Sequence, residues 1–331
     1  MKSKILNILN VILVGILAVL IILYFTTKVK NKENEKVMWT VEIRSFSENS
    51  TSSNPNIIKV INGVFYNNFN NSRKEIDNDS KDLTSSSSRE SIYFQKNTEL
   101  LPDSLNLKYF SIDERKFYQL RTKIPYELLK NAKKNSKDLT KLSCEIYPKG
   151  KVILKIDQED FPSINIASYR AKETTGNLDQ LIYKESLGEK YNDYEGIENI
   201  NDFSDLLQNK YRWIFKVDLE AGDQLLNAYA YSFAEQNIFD LKEKSLNKYE
   251  NIPKTFYVRF GNGNQYGIDY YFHPNEILNA FRKFDKIKGT ETITFTFKLF
   301  KNKPAECELS KNGQVISLKN LVSENPIKYV D

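Results

Sequence analysis

Residues 5–25, ILNILNVILVGILAVLIILYF, hold no charged side chain. A helix of these twenty-one residues spans about 31 Å, one bilayer hydrocarbon core. Asn7 and Asn10 are its only clearly polar members and lie near its start, while Tyr24 and Phe25 suit the far interface. A cleaved signal peptide has a shorter apolar region ending in small residues, whereas this one ends LIILYFTTKVK, with no cysteine after it to take a lipid. The stretch is therefore expected to stay as a single-pass transmembrane helix, with membrane lipid as the partner of residues 5–25. The amino terminus, Lys2 and Lys4 flank one end, and Lys28, Lys30, Lys32 and Lys36 the other. That count alone slightly favours a cytoplasmic body, but large domains translocate regardless of charge.

Beyond the helix, the chain must fold as a body of its own. The chain has 331 residues, enough for one large or two modest cores. Its 20 Tyr and 20 Phe carry much of the apolar content, and with only 12 Gly this composition leans towards half-buried pleated sheet. Net charge is +5, but acids and bases alternate and no basic stripe forms, which argues against a nucleic-acid partner. One histidine and no CxxC leave no zinc site of the usual ligand types, and no cofactor is expected. Cys144 and Cys307 each sit in a strand-like run; they either pair, if the body is exported, or serve as two buried thiols.

The chain divides into 1–36, anchor plus the charged tether KVKNKENEK, and a β-rich domain over 37–331. VMWTVEIRSF alternates, with Val37, Trp39, Val41 and Ile43 on one face of a strand. In IIKVINGVFYNN, Asn62-Gly63 is either a hairpin turn or a bulge. Residues 67–90 offer too little apolar surface to offset ordering entropy and read as a disordered insertion. Further on, LNLKYFSI and FYQLRTKI are strands, and a helix opens at Pro125 with Leu128, Leu129 and Ala132 as its buried stripe. LSCEIYPKGKVILKID is a hairpin with Val152, Leu154 and Ile156 on one face. NDFSDLLQNK is a helix capped by Asn201 or Asp202, followed by the strands YRWIFKVDLE and LLNAYAYSF. TFYVRF-GNGNQ-YGIDYYF is another hairpin, and a helix starts at Pro274. Segments 100–157 and 254–319 both read strands, proline-led helix, strands; duplication and chance likeness of two short helices both fit. The expected fold is mainly β, α+β: an antiparallel, sandwich-like ectodomain with a few short helices behind one N-terminal transmembrane helix.

Residues 101–157 carry a resemblance. Leu101-Pro102, Tyr109, Ser111, Glu114, Lys116-Phe117-Tyr118, Pro125, and Pro148 with Gly150 resemble an uncharacterised bacterial family, domain of unknown function 2931. RWIFKVDL and the carboxy-terminal segment are similar more loosely. The chain departs from the family pattern in lacking the lipidated cysteine and in Tyr109, where Trp is expected. The resemblance implies an exported domain in the cell envelope; it implies no activity and no catalytic residue.

The densest charge run is SIDERKFY, 111–118, with Asp113, Glu114, Arg115 and Lys116 in a row. Glu114 reads either as a general acid or base tuned by its cationic neighbours or as part of a solvated corner. Successive residues of an extended chain alternate faces, so the run puts two charges on each side. That suits a corner between strands, with Ser111 and Glu114 bonding turn amides. His273 before Pro274 is expected to cap a helix, and GNGNQYG (261–267) to be a turn, since a phosphate loop needs a helix directly after it. Asp157, Glu159 and Asp160 lack the glycine and distal glutamate of a calcium loop. Tyr229, Tyr231 and Phe233, with Tyr270, Tyr271 and Phe272, form either a ligand platform or one wall of a sheet core. No catalytic, cofactor or metal residue is assigned. The expected function is a membrane-anchored, extracytoplasmic binding or protein-interaction module without catalysis. Its partner would be a protein or peptide of the envelope, and an immunity-type protein is its specific form. The alternative is an envelope hydrolase using Glu114 or the Asp157–Asp160 acids.

Overall fold

Fourteen long strands sort into two units of seven with one topology. A computed structural model describes all residues except 1, 34, 48–55, 76–81, 85–91, 94–96, 134–139, 158–161, 183–193, 235–237, 241–248, 290, 324–326 and 330–331. Helix α1 (Lys2–Glu33) comes first. The first unit holds β1 (Val37–Ser45), β2 (Ile57–Asn67), β3 (Ser104–Ser111), β4 (Lys116–Lys123), α2 (Tyr126–Lys133), β5 (Thr140–Ile146), β6 (Lys151–Asp157) and β7 (Ile164–Arg170). Helix α3 (Ile200–Gln208) opens the second unit. It continues with β8 (Lys210–Asp218), β9 (Gln224–Ser232), β10 (Pro253–Asn262), β11 (Asn264–Tyr271), α4 (Pro274–Asp285), β12 (Ile293–Lys298), β13 (Glu306–Lys311) and β14 (Gln314–Leu318).

In the first unit β1-β5-β6-β7 form sheet I and β2-β3-β4 form sheet II; in the second, β8-β12-β13-β14 form sheet III and β9-β10-β11 form sheet IV. Each unit contains one parallel pair, β1 with β5 and β8 with β12, because a proline-led helix carries the chain across before the fifth strand. Sheets I and III therefore each carry one parallel pair within a mainly antiparallel arrangement, as expected. The likeness of 100–157 and 254–319 extends upstream and downstream into the complete seven-strand order. Trp39 and Trp213 occupy equivalent registers, each opposite the first residue of the strand after the helix, and both are buried.

Alternation explains both cores. Val41, Ile43, Leu142, Leu154 and Ile156 of sheet I face Val60, Leu105, Leu107 and Tyr109 of sheet II. Trp213, Phe295, Phe297 and Leu309 of sheet III face Ala230, Phe256, Val258 and Tyr270 of sheet IV. Phe256 touches Trp213, Phe295 and Phe297 at centroid distances of 6.1, 5.8 and 5.1 Å. Each such buried ring contributes about 2–3 kcal/mol of transfer free energy. Cys144 and Cys307 lie in different cores as free thiols, and burial pushes the Cys144 thiol up to about 12.

Several local expectations change. Asn62-Gly63 is a bulge in β2, marked by the register shift between Val60 and Asn62. In the polar stretch 67–90, Ser72–Glu75 and Asp82–Thr84 are strands on β2, although a disordered insertion was expected. Backbone pairing orders them, since neither strand needs an apolar side chain to join a sheet edge. Lys74 is even buried, with Nζ 4.0 Å from the Trp39 ring centre and donating to Trp39 O at 3.0 Å; desolvation lowers its pKa. On α2, Leu129 and Ala132 are buried but Leu128 is 55% exposed. The cap of α3 is Asn199, which accepts from Asp202 N at 2.9 Å. Helix α1 runs on through most of the charged segment, and its stretch Asn10–Lys28 is long and apolar enough to cross a membrane.

Candidate functional site

SIDERKFY is the turn between β3 and β4, and each of its four charges binds a different element. Ser111 Oγ first tightens the turn by accepting from Glu114 N at 3.3 Å. Asp113 Oδ2 accepts from Ile57 N at 2.8 Å, tying the turn to β2. The Glu114 carboxylate accepts from Lys149 N at 3.2 and 3.1 Å, tying it to the β5–β6 turn of the facing sheet. Arg115, at φ 54°, donates to Asn201 Oδ1 at 3.0 Å and Asp205 Oδ1 at 2.5 Å on α3. Lys116 Nζ meets Glu173 at 2.6 Å on the edge strand Lys172–Thr174. The run sits at a corner between strands, with Ser111 and Glu114 bonding turn amides as expected, but it is a joint and not a solvated tip. Ile112 in its middle is completely buried.

Desolvation pushes the Asp113 carboxyl up to about 6, against the opposing pull of the Ile57 N–H. Its side chain remains open to solvent on one side, so water screens part of that effect. Asp205 is the hub of the joint: besides Arg115 it accepts from Arg282 of α4 at 2.5 Å, and Arg282 also meets Asp202 at 2.7 Å. One carboxylate thus links the first unit, α3 and α4.

The joint covers the outer face of sheet II. Phe110 and Phe117 lie there with ring centres 4.7 Å apart, and Phe203 of α3 packs 6.4 Å from Phe110. Lys59 stands 5.4 and 5.5 Å from the ring centres of Tyr194 and Phe203. Leu181 and Ile197 complete the cover. This face therefore already performs a recognition task within the chain: it takes up a short amphipathic helix through rings, a lysine and an arginine–carboxylate pair.

The equivalent face of sheet IV carries a different set of residues. Opposite pairing across β9, β10 and β11 puts Tyr229, Tyr257 and Asp269 in one row, and Asn227, Arg259 and Gly267 in the next. Tyr229 and Tyr257 stack at 4.8 Å, and Tyr231 meets them edge-on at 5.9 and 5.5 Å. Arg259 and Asp269 are exposed, and Gly267 leaves a shallow open depression between them. Burial raises the Tyr229 phenol, and Tyr231, Tyr257 and Asp269 push it further, so it stays neutral and able to donate. The aromatic run read in the sequence is thus divided. Tyr229 and Tyr231 face outward, whereas Phe233, Tyr270 and Phe272 are buried. A register shift between Tyr231 and Ser232 turns the chain so that Phe233 enters the core. TFYVRF alternates, with Phe256, Val258 and Phe260 inward, so Tyr257 and Arg259 were legible as outward residues; what the sequence missed is the pairing of β9 with β10 that brings them to Tyr229.

The remaining candidates do not converge. His273 Nδ1 accepts from Glu276 N at 3.4 Å as the α4 cap, and GNGNQYG spans the β10–β11 hairpin, turning at Gly263 with its other residues paired in the two strands. Asp157 accepts from Ser163 Oγ at 2.8 Å, while Glu159 and Asp160 lie outside the described residues. Among the described residues no three His, Cys, Asp or Glu side chains are grouped to hold a metal ion. No protein-family profile, curated protein or solved structure matches this chain.

Proposed function

We propose that this chain is a membrane-anchored binding module whose sheet IV face engages a protein partner. Tyr229, Tyr231 and Tyr257 carry the reading. They pack together on the solvent side of a sheet whose counterpart in the first unit holds another protein segment. Tyrosines beside an arginine are the residue types enriched where interfaces concentrate their energy. The resemblance to domain of unknown function 2931 supports a body outside the cytoplasm, and the apolar helix α1 supports its anchoring through residues 5–25. An immunity-type role, neutralising a toxin delivered into the envelope, fits a small body held at the membrane. A secreted toxin encoded next to this chain would support that role, and an unrelated operon would count against it.

The hydrolase alternative is less favoured because both Glu114 oxygens are engaged by Lys149 N–H at a turn. Photo-crosslinking in cells tests the proposal, with the crosslinker placed at Tyr229 or Tyr231 and, as a control, at the exposed Val315 of β14. A discrete adduct from the tyrosine positions alone, abolished by Tyr257→Ala with Arg259→Ala, is the expected result. Equal labelling from all three positions would remove the face from consideration. Protease protection in sealed vesicles reads the orientation independently.

A further inference from the structure

Helix α1 has one side chain that hydrocarbon cannot serve. The middle of the apolar stretch 5–25 is Gly15, so Asn10 lies about 7.5 Å from the bilayer centre, well inside the hydrocarbon. Lipid chains offer its carboxamide neither donor nor acceptor, and an unpaired amide there is costly. The hydroxyls at the other end of α1 are satisfied by the helix itself. Thr26 Oγ1 donates to Leu23 O at 3.0 Å, and Thr27 Oγ1 donates to the same oxygen at 2.6 Å. Asn10 is exposed, and among the described residues its carboxamide has no hydrogen-bond partner. The body buries none of the stretch Asn10–Lys28, so no other part of the chain can supply one.

Asn10 stands in a stripe. Alternating steps of three and four residues join Asn7, Asn10, Val14, Leu17, Ile21 and Tyr24 along one face about 100° wide. That spacing is the seam of two helices wound together, and a single asparagine in such a seam fixes register and partner number. Val14, Leu17 and Ile21 are 67, 58 and 47% exposed, so the apolar part of the seam is open along its length. The chemistry of Asn10 names the helix that closes it. A carboxamide is its own complement: its N–H donates to the oxygen of a second carboxamide, and its oxygen accepts in return. All copies of the chain enter the bilayer in one orientation, so two α1 helices meet in parallel with Asn10 facing Asn10. A helix of another protein would need a polar group of its own at the same depth.

We propose that α1 is the interface of a homodimer: two copies pair along the stripe from Asn7 to Tyr24, and their Asn10 carboxamides bond each other inside the bilayer. The pair carries two sheet IV faces, so a partner with two matching sites is held by both at once. This inference rests on the reading of α1 as a membrane span. The full chain, reconstituted in phosphatidylcholine vesicles, tests it through single cysteines introduced into α1. Cys144 and Cys307 are buried, so copper-phenanthroline oxidation reaches only the introduced thiol. Val14→Cys, Leu17→Cys and Ile21→Cys should give a disulfide-linked dimer on non-reducing gels. Ile12→Cys, Ile16→Cys and Leu23→Cys, on the opposite side of the helix, should not. With few copies per vesicle, Asn10→Leu should lower the dimer yield of Ile21→Cys about threefold or more. Asn10→Gln, which keeps the carboxamide, should preserve it. Alkaline extraction of the same vesicles reports separately whether the chain is anchored. Three results in an anchored chain overturn the inference and spare the anchor: equal yields from both sides, no dimer from the stripe, or a yield indifferent to Asn10→Leu. Release of the chain by alkali overturns the anchor, and the inference falls with it.

Discussion

Asp113 shows how a charge assigned to a surface corner acquires a second role once its neighbours are known. Its folded pKa of about 6 lies above the ordinary 3.8, so the folded chain holds the proton more tightly than the unfolded one. The stabilisation is complete below about pH 4 and is lost as pH rises through about 6. Asp113→Asn, which keeps an acceptor for Ile57 N–H, should remove that dependence. The variant's melting temperature should rise relative to the parent between pH 4 and pH 7. A constant difference across that range would exclude Asp113 as the source. Asp205 is a stronger test of the joint, because its side chain is only 17% exposed and takes two guanidinium partners. Asp205→Ala should cost about 2 kcal/mol in urea unfolding. Glu173→Ala, at the exposed Lys116 pair, should leave the midpoint in place. Tyr270 differs again: its hydroxyl is buried without a hydrogen-bond partner among the described residues. Tyr270→Phe should therefore raise stability by about 1 kcal/mol, read as a shift in the same midpoint.

Elements were legible wherever one period dominated the sequence. Val37, Trp39, Val41 and Ile43 alternate without interruption and are all buried, as are Val152, Leu154 and Ile156. Pro125 and Pro274 mark helix starts because a fixed φ and a missing N–H cost nothing in a first turn. Legibility failed where backbone pairing replaced side-chain pattern, as in Ser72–Glu75, or where one residue broke the alternation, as between Tyr231 and Ser232. The β10–β11 turn shows how strictly one glycine can be required. Gly261 sits at φ 141°, and a Cβ there would lie 2.0 Å from the Asn264 carbonyl oxygen. Gly261→Ala should destabilise the protein by about 3 kcal/mol or more, measured by denaturant unfolding. A loss no greater than an ordinary surface change would show that this hairpin can refold around a methyl group.

At the level of the whole molecule, two seven-strand sandwiches share one apolar cluster across their joint, where Ile57, Phe110, Ile112 and Phe117 of the first unit meet Phe203, Leu181 and Ile197. That sharing should make calorimetric unfolding of the body a single transition, and Phe203→Ala should split it in two. Two separate endotherms in the parent chain would mean that the joint is too weak to couple the units. The sequence by itself determined the apolar helix, the β-rich body, most strand faces and the helix starts near Pro125 and Pro274. These features arise from local period, charge and backbone chemistry, which act over a few residues. Tertiary structure alone decided that β1 pairs with β5 and β8 with β12, that SIDERKFY joins four elements, and that Tyr257 and Arg259 stand beside Tyr229. Each of those facts is a meeting of segments distant in the chain, set by which apolar faces bury one another, and no local pattern records that choice.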